Sequence, residues 1–506
     1  MSINNTSTTS YSLFLELRLW LHLAFPSALR STADLIPWLV TLTMVGRLGT
    51  FELSSLSLTE TMIYTSMVIV WNSVGKAQST LISQAHGSKN VDAMRGFALL
   101  SFISMFCLSS LVAILWLFSD KILILAGFDN VLVKKGYEYT VWAIPSLFFN
   151  SFNITAAVYL SCMQCPGIPL LIALGSCILD TSITYIFLFI LKLNLAGAAQ
   201  TWSLTTLITV FLYIIALRWA FAKGRELKYG EEEEEEEGVM LDKKESTENT
   251  ISLLNNEIKS DDNIDSAVVV SYNFKDAFLY ISSKQRWIMF LEQLIPNFIT
   301  DLFSNSQYQA VSFMAATLGS LQIAAHNGAL AILEVSLTIS GGMAEATAIR
   351  VGYHLGRGDI KAAKSTVFVG VTFGTIIGLI ISTIGYSLKS YLGRFFSDDP
   401  VVVSTVETLA LFFWLYFFIA TIDMQFLAIL EGQGRASIQS GLFLIGGWGI
   451  GIPLAIASLK LTSFGLPALW ASLLIGDCVV SVIGSILVFG KSDWKKLCEE
   501  ASKRQD

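Results

Sequence analysis

The stretch Ala346-Thr347-Ala348-Ile349-Arg350-Val351-Gly352-Tyr353-His354-Leu355-Gly356-Arg357-Gly358-Asp359 closes a long apolar run and opens a short basic turn, continued by Ile360-Lys361-Ala362-Ala363-Lys364. An earlier copy of the pattern stands at Thr80-Leu81-Ile82-Ser83-Gln84-Ala85-His86-Gly87-Ser88-Lys89-Asn90-Val91-Asp92-Ala93. In both, a hydrophobic span ends in a glycine-punctuated turn carrying a basic residue and an aspartate. Pro26 to Pro296 and Gly49 to Gly319 are each 270 residues apart (296 − 26, 319 − 49), and Gly87 to Gly356 is 269 (356 − 87). Self-similarity at a near-constant offset marks a tandem duplication.

Composition places the two copies in a bilayer. Hydrophobic residues make up 53% of the chain and charged ones 14%, with a mean hydropathy of +0.60, which excludes an ordinary soluble enzyme. A membrane span takes about 20 mostly apolar residues. Twelve such stretches are read at 22–45, 53–75, 97–119, 140–161, 168–191, 197–219, 286–309, 321–344, 366–388, 404–430, 437–459 and 466–489. Six per copy is even, so both copies enter from the same side and form a parallel repeat about an axis along the membrane normal. The expected fold is an all-α polytopic membrane protein, with twelve transmembrane helices in two six-helix lobes. Its expected parts are an N-terminal tail (1–14), an N-lobe (15–220), an acidic linker (221–280), a C-lobe (281–490) and a C-terminal tail (491–506).

The net charge of −7 belongs to one segment. Residues 226–265 hold 15 acidic side chains against 4 lysines, or −11, which leaves +4 for the remainder (−7 + 11). Such a like-charged block buries too little apolar surface to fold, and a disordered linker is expected. Lysine and arginine set the orientation. Lys89, Arg95, Arg350, Arg357, Lys361, Lys364, Arg435, Lys491, Lys495 and Lys496 share one side, whereas the opposite loops hold fewer. That side, with both termini and the linker, is read as cytosolic. Met1 to Tyr11 lacks the pattern of a removable signal peptide, and sequons at Asn4 and Asn5 should stay unmodified there.

Cys162-x-x-Cys165 has a redox or metal spacing, but no second pair or nearby histidine completes a site. Gly484 to Lys491 misses a phosphate loop by one residue. Neither metal nor nucleotide is expected. Gly370, Gly374 and Gly378 recur four apart, as helix packing requires, and Gly446, Gly447, Gly449 and Gly451 either do the same or soften their helix. Pro26, Pro37 and Pro296 can kink theirs.

These motifs resemble those of the multidrug and toxic compound extrusion (MATE) transporters. Arg350-Val351-Gly352, Leu355-Gly356 and Gly358-Asp359 look like the signature "RVG-x-x-LG-x-GD". Val45-Gly46-Arg47-Leu48-Gly49 resembles the family's "VGHLG" turn, and Gln84-Ala85-His86-Gly87 its "GQA-x-G". Leu179-Asp180 and Gly434-Arg435 also fit, so the likeness runs over about residues 15 to 490. It implies a secondary antiporter that exports an organic cation against protons or sodium, with no other cofactor. The implied partners are that small molecule and the lipid bilayer, not nucleic acid, and the implied state is a monomer. Plasma and organelle membranes stay open.

Function is then sought in membrane-embedded acids, which are costly and usually face water or a partner. A carboxyl can hold a proton or a cation, and that competition is the least an antiporter needs. The resemblance puts Glu292 first, as the match to a glutamate in the seventh helix of eukaryotic members. Asp301, nine residues on, lies on the opposite face. Asp180 matches the fifth-helix aspartate, and Ser176, one turn earlier, replaces the usual asparagine. Asp34 stands two turns before Thr41, where prokaryotic members carry an acid; its other reading is an i, i+4 pair with Arg30. Asp423 falls about one turn from an acid of plant and animal members, and Glu334 lies in an otherwise apolar segment. Glu345 and Glu431 are read as solvated or paired. Trp38, Trp71, Tyr308, Trp414 and Tyr416 are aromatic candidates for the cavity wall, through cation–π contact. Two other readings are kept: a lipid-linked glycan flippase of the same superfamily, and a membrane scaffold or enzyme that transports nothing.

Overall fold

The structure is a computed structural model and describes residues 13–223, 280–396 and 400–505. The acidic block, Asn4 and Asn5 lie outside the described residues. The first half holds α1 (Leu13–Gly46), α2 (Thr50–Gly87), α3 (Val91–Leu117), α4 (Ser119–Leu125) and α5 (Asn130–Cys162), then α6 (Gly167–Ile190) and α7 (Asn194–Ala222). The second repeats the order as α8 (Lys284–Thr317), α9 (Ser320–Arg357), α10 (Ile360–Ser387), α11 (Lys389–Phe396) and α12 (Pro400–Gly432), then α13 (Ala436–Leu461) and α14 (Leu466–Gly490). A last helix, α15 (Trp494–Lys503), follows.

The duplication is visible in the turn after the signature. Helix α9 ends on Gly358, left-handed at φ 79, and Asp359 caps α10 by accepting from the Ala362 N–H. In the first half Lys89 takes that left-handed position at φ 57, and Asn90 caps α3 through Ala93. The counterpart of Asp359 is thus Asn90 and not Asp92.

Ten of the twelve long helices are both long and apolar enough to cross a membrane. The other two are α1 and α8, the equivalent first helices of the halves. Each has 34 residues, about 51 Å at 1.5 Å per residue, so length suffices. Their polarity follows from position: α1 packs on α9 and α2 on α8, so each half meets the other through its first two helices. Residues 73–87 of α2 are buried except Lys76, as are 343–354 of α9 except Glu345, whereas 50–66 and 321–342 alternate with exposed positions. The lobes close where α2 and α9 end and part towards the Gly49 and Gly319 turns.

Packing follows the small residues. A Cβ on Gly374 would sit 2.8 Å from Gln425, and one on Gly378 2.8 Å from Thr421, so that face of α10 lies directly on α12. The glycines of α13 do both things expected of them. Leu444–Gly451 is π-helical, and Gly446 touches the backbone of Gly476. Helix α1 begins at Leu13, and the C-terminal tail is helical, with Trp494, Leu497 and Ala501 buried. The linker's end also packs, since Tyr280 meets the Phe97 ring edge-on at 5.6 Å.

Candidate functional site

Buried acids gather at three places. In the second half Asp423 of α12 and Asp477 of α14 are both buried and act on one another. The Ser481 hydroxyl, one turn beyond Asp477, donates to Asp423 Oδ1. Tyr416 stands beside the Asp477 carboxylate, and its hydroxyl lies 2.9 Å from that of Tyr308 on α8. Two neighbouring carboxylates among hydroxyls repel when both are charged, so the pair calls for a proton or a bound cation. Glu334 acts on Tyr308 from α9 but is reached by solvent. Asp477 was missed by the sequence reading, although it is the lone charge in the apolar run of α14.

In the first half Asp180 of α6 is buried, with the Thr184 and Thr205 hydroxyls beside it. Ser176 takes no part, because its hydroxyl donates back to the Ala173 carbonyl at 3.0 Å. Asp180 acts on the phenol of Tyr139 on α5. That phenol donates to Glu60 Oε1 at 2.8 Å, and the Trp38 indole donates to Glu60 Oε2 at 3.2 Å. Glu60 was likewise unmarked in the sequence reading.

The third group joins the lobes. Arg30 of α1 reaches Glu345 of α9 at 3.0 Å, so it is not confined to the i, i+4 pair with Asp34, which lies in the field of both. Lys76 of α2 meets Asp301 of α8 at 2.5 Å, and Ser73 donates to the other Asp301 oxygen at 3.0 Å. Glu345 is thus paired with Arg30, and Glu431 is buried near Lys76 and Asp301 rather than solvated. Near the closed end Glu16 accepts from Arg350 at 3.1 and 2.5 Å and from Thr366 at 2.5 Å, with His354 at 3.2 Å. Glu16 and Arg350 are 0% exposed.

Of the two α8 acids, the structure buries Asp301 and exposes Glu292, whose charge acts on Arg504 at the chain's end. The face that Glu292 occupies is the one turned from α2, as nine residues of helix require. Among the aromatics, Trp38 and the Tyr308–Tyr416 pair border acids. Trp71 packs against the first-half core. Trp414 lies in the second-half core, where its ring fills the space left by Gly385.

Comparison with known proteins bears on the family and the fold. The MatE family model matches residues 26–186 and 296–457, once in each half. Protein DETOXIFICATION 28 of Arabidopsis thaliana is 22% identical over 477 residues, covering 94% of this chain and 87% of that one. Multidrug and toxin extrusion protein 1 of Xenopus tropicalis is 24% identical over 515 residues, covering 98% and 80%. Among solved structures, the eukaryotic MATE transporter AtDTX14 superposes with a TM-score of 0.82 at 18% identity, covering 98% of this chain and all of that one. An outward-facing MATE transporter superposes at 0.78 with 16% identity, covering 99% of this chain and 100% of that one. The chain is therefore an integral, multi-pass membrane protein of the MatE family, whose members are transporters and not enzymes.

Proposed function

We propose that the protein is an antiporter that exports small organic cations in exchange for protons or sodium, by alternating access between the two lobes. The observation that carries this reading is the buried pair Asp423 and Asp477, surrounded by Ser481, Tyr416 and Tyr308. It suits a group that must hold either a proton or a cation. Asp180 gives the first half a similar group. At the lobe interface Arg30, Lys76 and Arg350 are each met by an acid from the other lobe. The gap therefore offers carboxylates to a cargo, which speaks against a phosphate-bearing lipid. The closed end carries the basic turns, so the gap opens away from the cytosol.

The test is uptake of a fluorescent organic cation into proteoliposomes under an imposed pH gradient, first without and then with sodium. Asp423→Asn and Asp477→Asn should each abolish concentrative movement while leaving folding intact. Asp180→Asn should weaken the coupling. Full gradient-driven transport by the Asp423→Asn, Asp477→Asn double variant would refute the role of the pair. Glu292→Gln, made alongside, decides whether the exposed α8 acid is also needed.

A further inference from the structure

Helix α15 ties the two halves together at the closed end. Asp493 starts it by accepting from the Lys496 N–H at 3.2 Å. Trp494, Leu497 and Ala501 then recur at three and four residues, and they are buried in one cluster with Val351 and Leu355 of α9 and Ala363 of α10. That seat belongs wholly to the second half. The two residues after the helix reach the first half instead. The Arg504 guanidinium donates through Nη1 to Gln84 Oε1 of α2 at 3.2 Å, and through Nη2 to the Gly434 carbonyl at 3.4 Å. The Asn90 amide, at the cap of α3, donates to the Gln505 carbonyl at 3.1 Å.

The surroundings fit this reach. Gly434 is left-handed at φ 72, and a Cβ there would stand 2.4 Å from Arg504 Nη1, so the bare turn makes room for the guanidinium. Gln84 donates its own NH2 to the Gly432 carbonyl at 3.0 Å, which leaves both ends of its amide held from the second half. The Gln84 carbonyl is also where Gly356 comes so near that a Cβ would lie 1.9 Å away. Arg504 thus closes over a point of tightest approach between the lobes.

We infer that α15, with Arg504 and Gln505, is an autoinhibitory latch. It rides on the second half, grips α2 and the start of α3, and holds this end of the protein shut. The inference rests on the alternating-access reading above. Opening must part Gln84 and Asn90 from Arg504 and Gln505, whereas the apolar seat stays within the second half and is undisturbed. The bonds therefore stabilise one state and not the other, which is the condition for shifting an equilibrium. Glu500, one turn back at 3.9 Å, receives the guanidinium when it leaves Gln84. Cargo enters from this side only in the opened fraction, so the latch weakens apparent affinity there by that fraction.

The experiment uses the full-length protein with its native cysteines replaced by alanine. Ser83→Cys sets a thiol on α2 beneath Gly352 of α9, where the side chain is buried, so a maleimide reaches it when this end opens. Labelling is followed in detergent. Arg504→Gln should speed it about three- to ten-fold. Asn90→Asp keeps the oxygen that caps Ala93 and loses the donor to Gln505, and should speed it about two- to five-fold. Lys495→Ala, on the exposed face of α15, should leave the rate unchanged. In proteoliposomes the first two variants should lower KM for a fluorescent organic cation presented on the closed side by the same factors, a gain that a damaged fold does not mimic. Unchanged labelling in both Arg504→Gln and Asn90→Asp would overturn the latch and leave antiport standing. Faster labelling in both, with no cation moved by any protein including the wild type, would support the latch and overturn antiport. Faster labelling with unchanged KM in a transporting protein would overturn its control of cargo entry.

Discussion

Lys76 Nζ on α2 lies 2.5 Å from Asp301 Oδ1 on α8, and the repeat supplies its counterpart, Arg30 on α1 with Glu345 on α9. Lys76 and Glu345 are 269 residues apart (345 − 76), the offset of Gly87 and Gly356. Arg30 and Asp301 are 271 apart (301 − 30), the offset between the ends of α1 and α8. The same two contacts are made on both sides of the axis, yet both cations come from the first half and both acids from the second.

Removing one partner of a fully buried pair costs about 3–5 kcal/mol; Lys76 is 29% exposed, so Asp301→Asn should cost less, about 1–3 kcal/mol. The exchange Lys76→Asp with Asp301→Lys should recover more than half of that loss in a thermal melt of the purified protein. An exchanged protein no more stable than the weaker single variant would show that the two charges do not support each other.

Glu16 stakes more on its partners, because it and Arg350 are wholly enclosed. Glu16→Gln strands the guanidinium and should lower stability by about 3–5 kcal/mol. Arg350→Lys should also fail, since a single ammonium cannot reproduce the two-pronged contact from Nε and the terminal nitrogen. Yield of folded protein and melting temperature measure both. A native-like melt for Arg350→Lys would contradict the requirement for the fork.

At the closed end a Cβ on Gly87 would lie 1.9 Å from the Tyr353 carbonyl, and one on Gly356 1.9 Å from the Gln84 carbonyl. These obstacles are backbone, which has no rotamer to change. Gly87→Ala or Gly356→Ala should therefore disfavour the closed contact by about 1–3 kcal/mol. Turnover should fall several-fold while cargo binding persists, whereas Gly441→Ala, with nothing within 4 Å, should be silent. Unaltered turnover in Gly356→Ala would mean that the lobes need not approach this closely.

Much of the architecture was legible because it is written in backbone-determining residues. The 270-residue offset, the Gly358-Asp359 turn and the glycine face of α10 each say where the chain must bend or approach. Side-chain partners were harder to read. Glu292 and Asp301 share α8, and periodicity says only that they face apart; which of them meets α2 depends on how the lobes dock. Lys76 stands in the sequence like any other lysine, because its partner Asp301 lies 225 residues away on another helix. Asp477 is legible, as a single charge in an apolar run. The tail's helix was within reach too: Trp494, Leu497 and Ala501 recur at three and four residues.

At these two contacts the charge is one-sided, although a third pair between the lobes, Glu16 with Arg350, runs the other way, and that bears on how the chain assembles. A half that carried a cation on one helix and an acid on the other would match a copy of itself through these contacts, as a symmetric dimer does. Here two first halves would set Arg30 against Lys76, and two second halves Asp301 against Glu345. Like therefore repels like at both contacts, and only the unlike halves fit. Duplication made the lobes similar enough to share a fold, and this segregation makes each the other's obligatory mate, which discourages swapping of lobes between neighbouring chains during insertion.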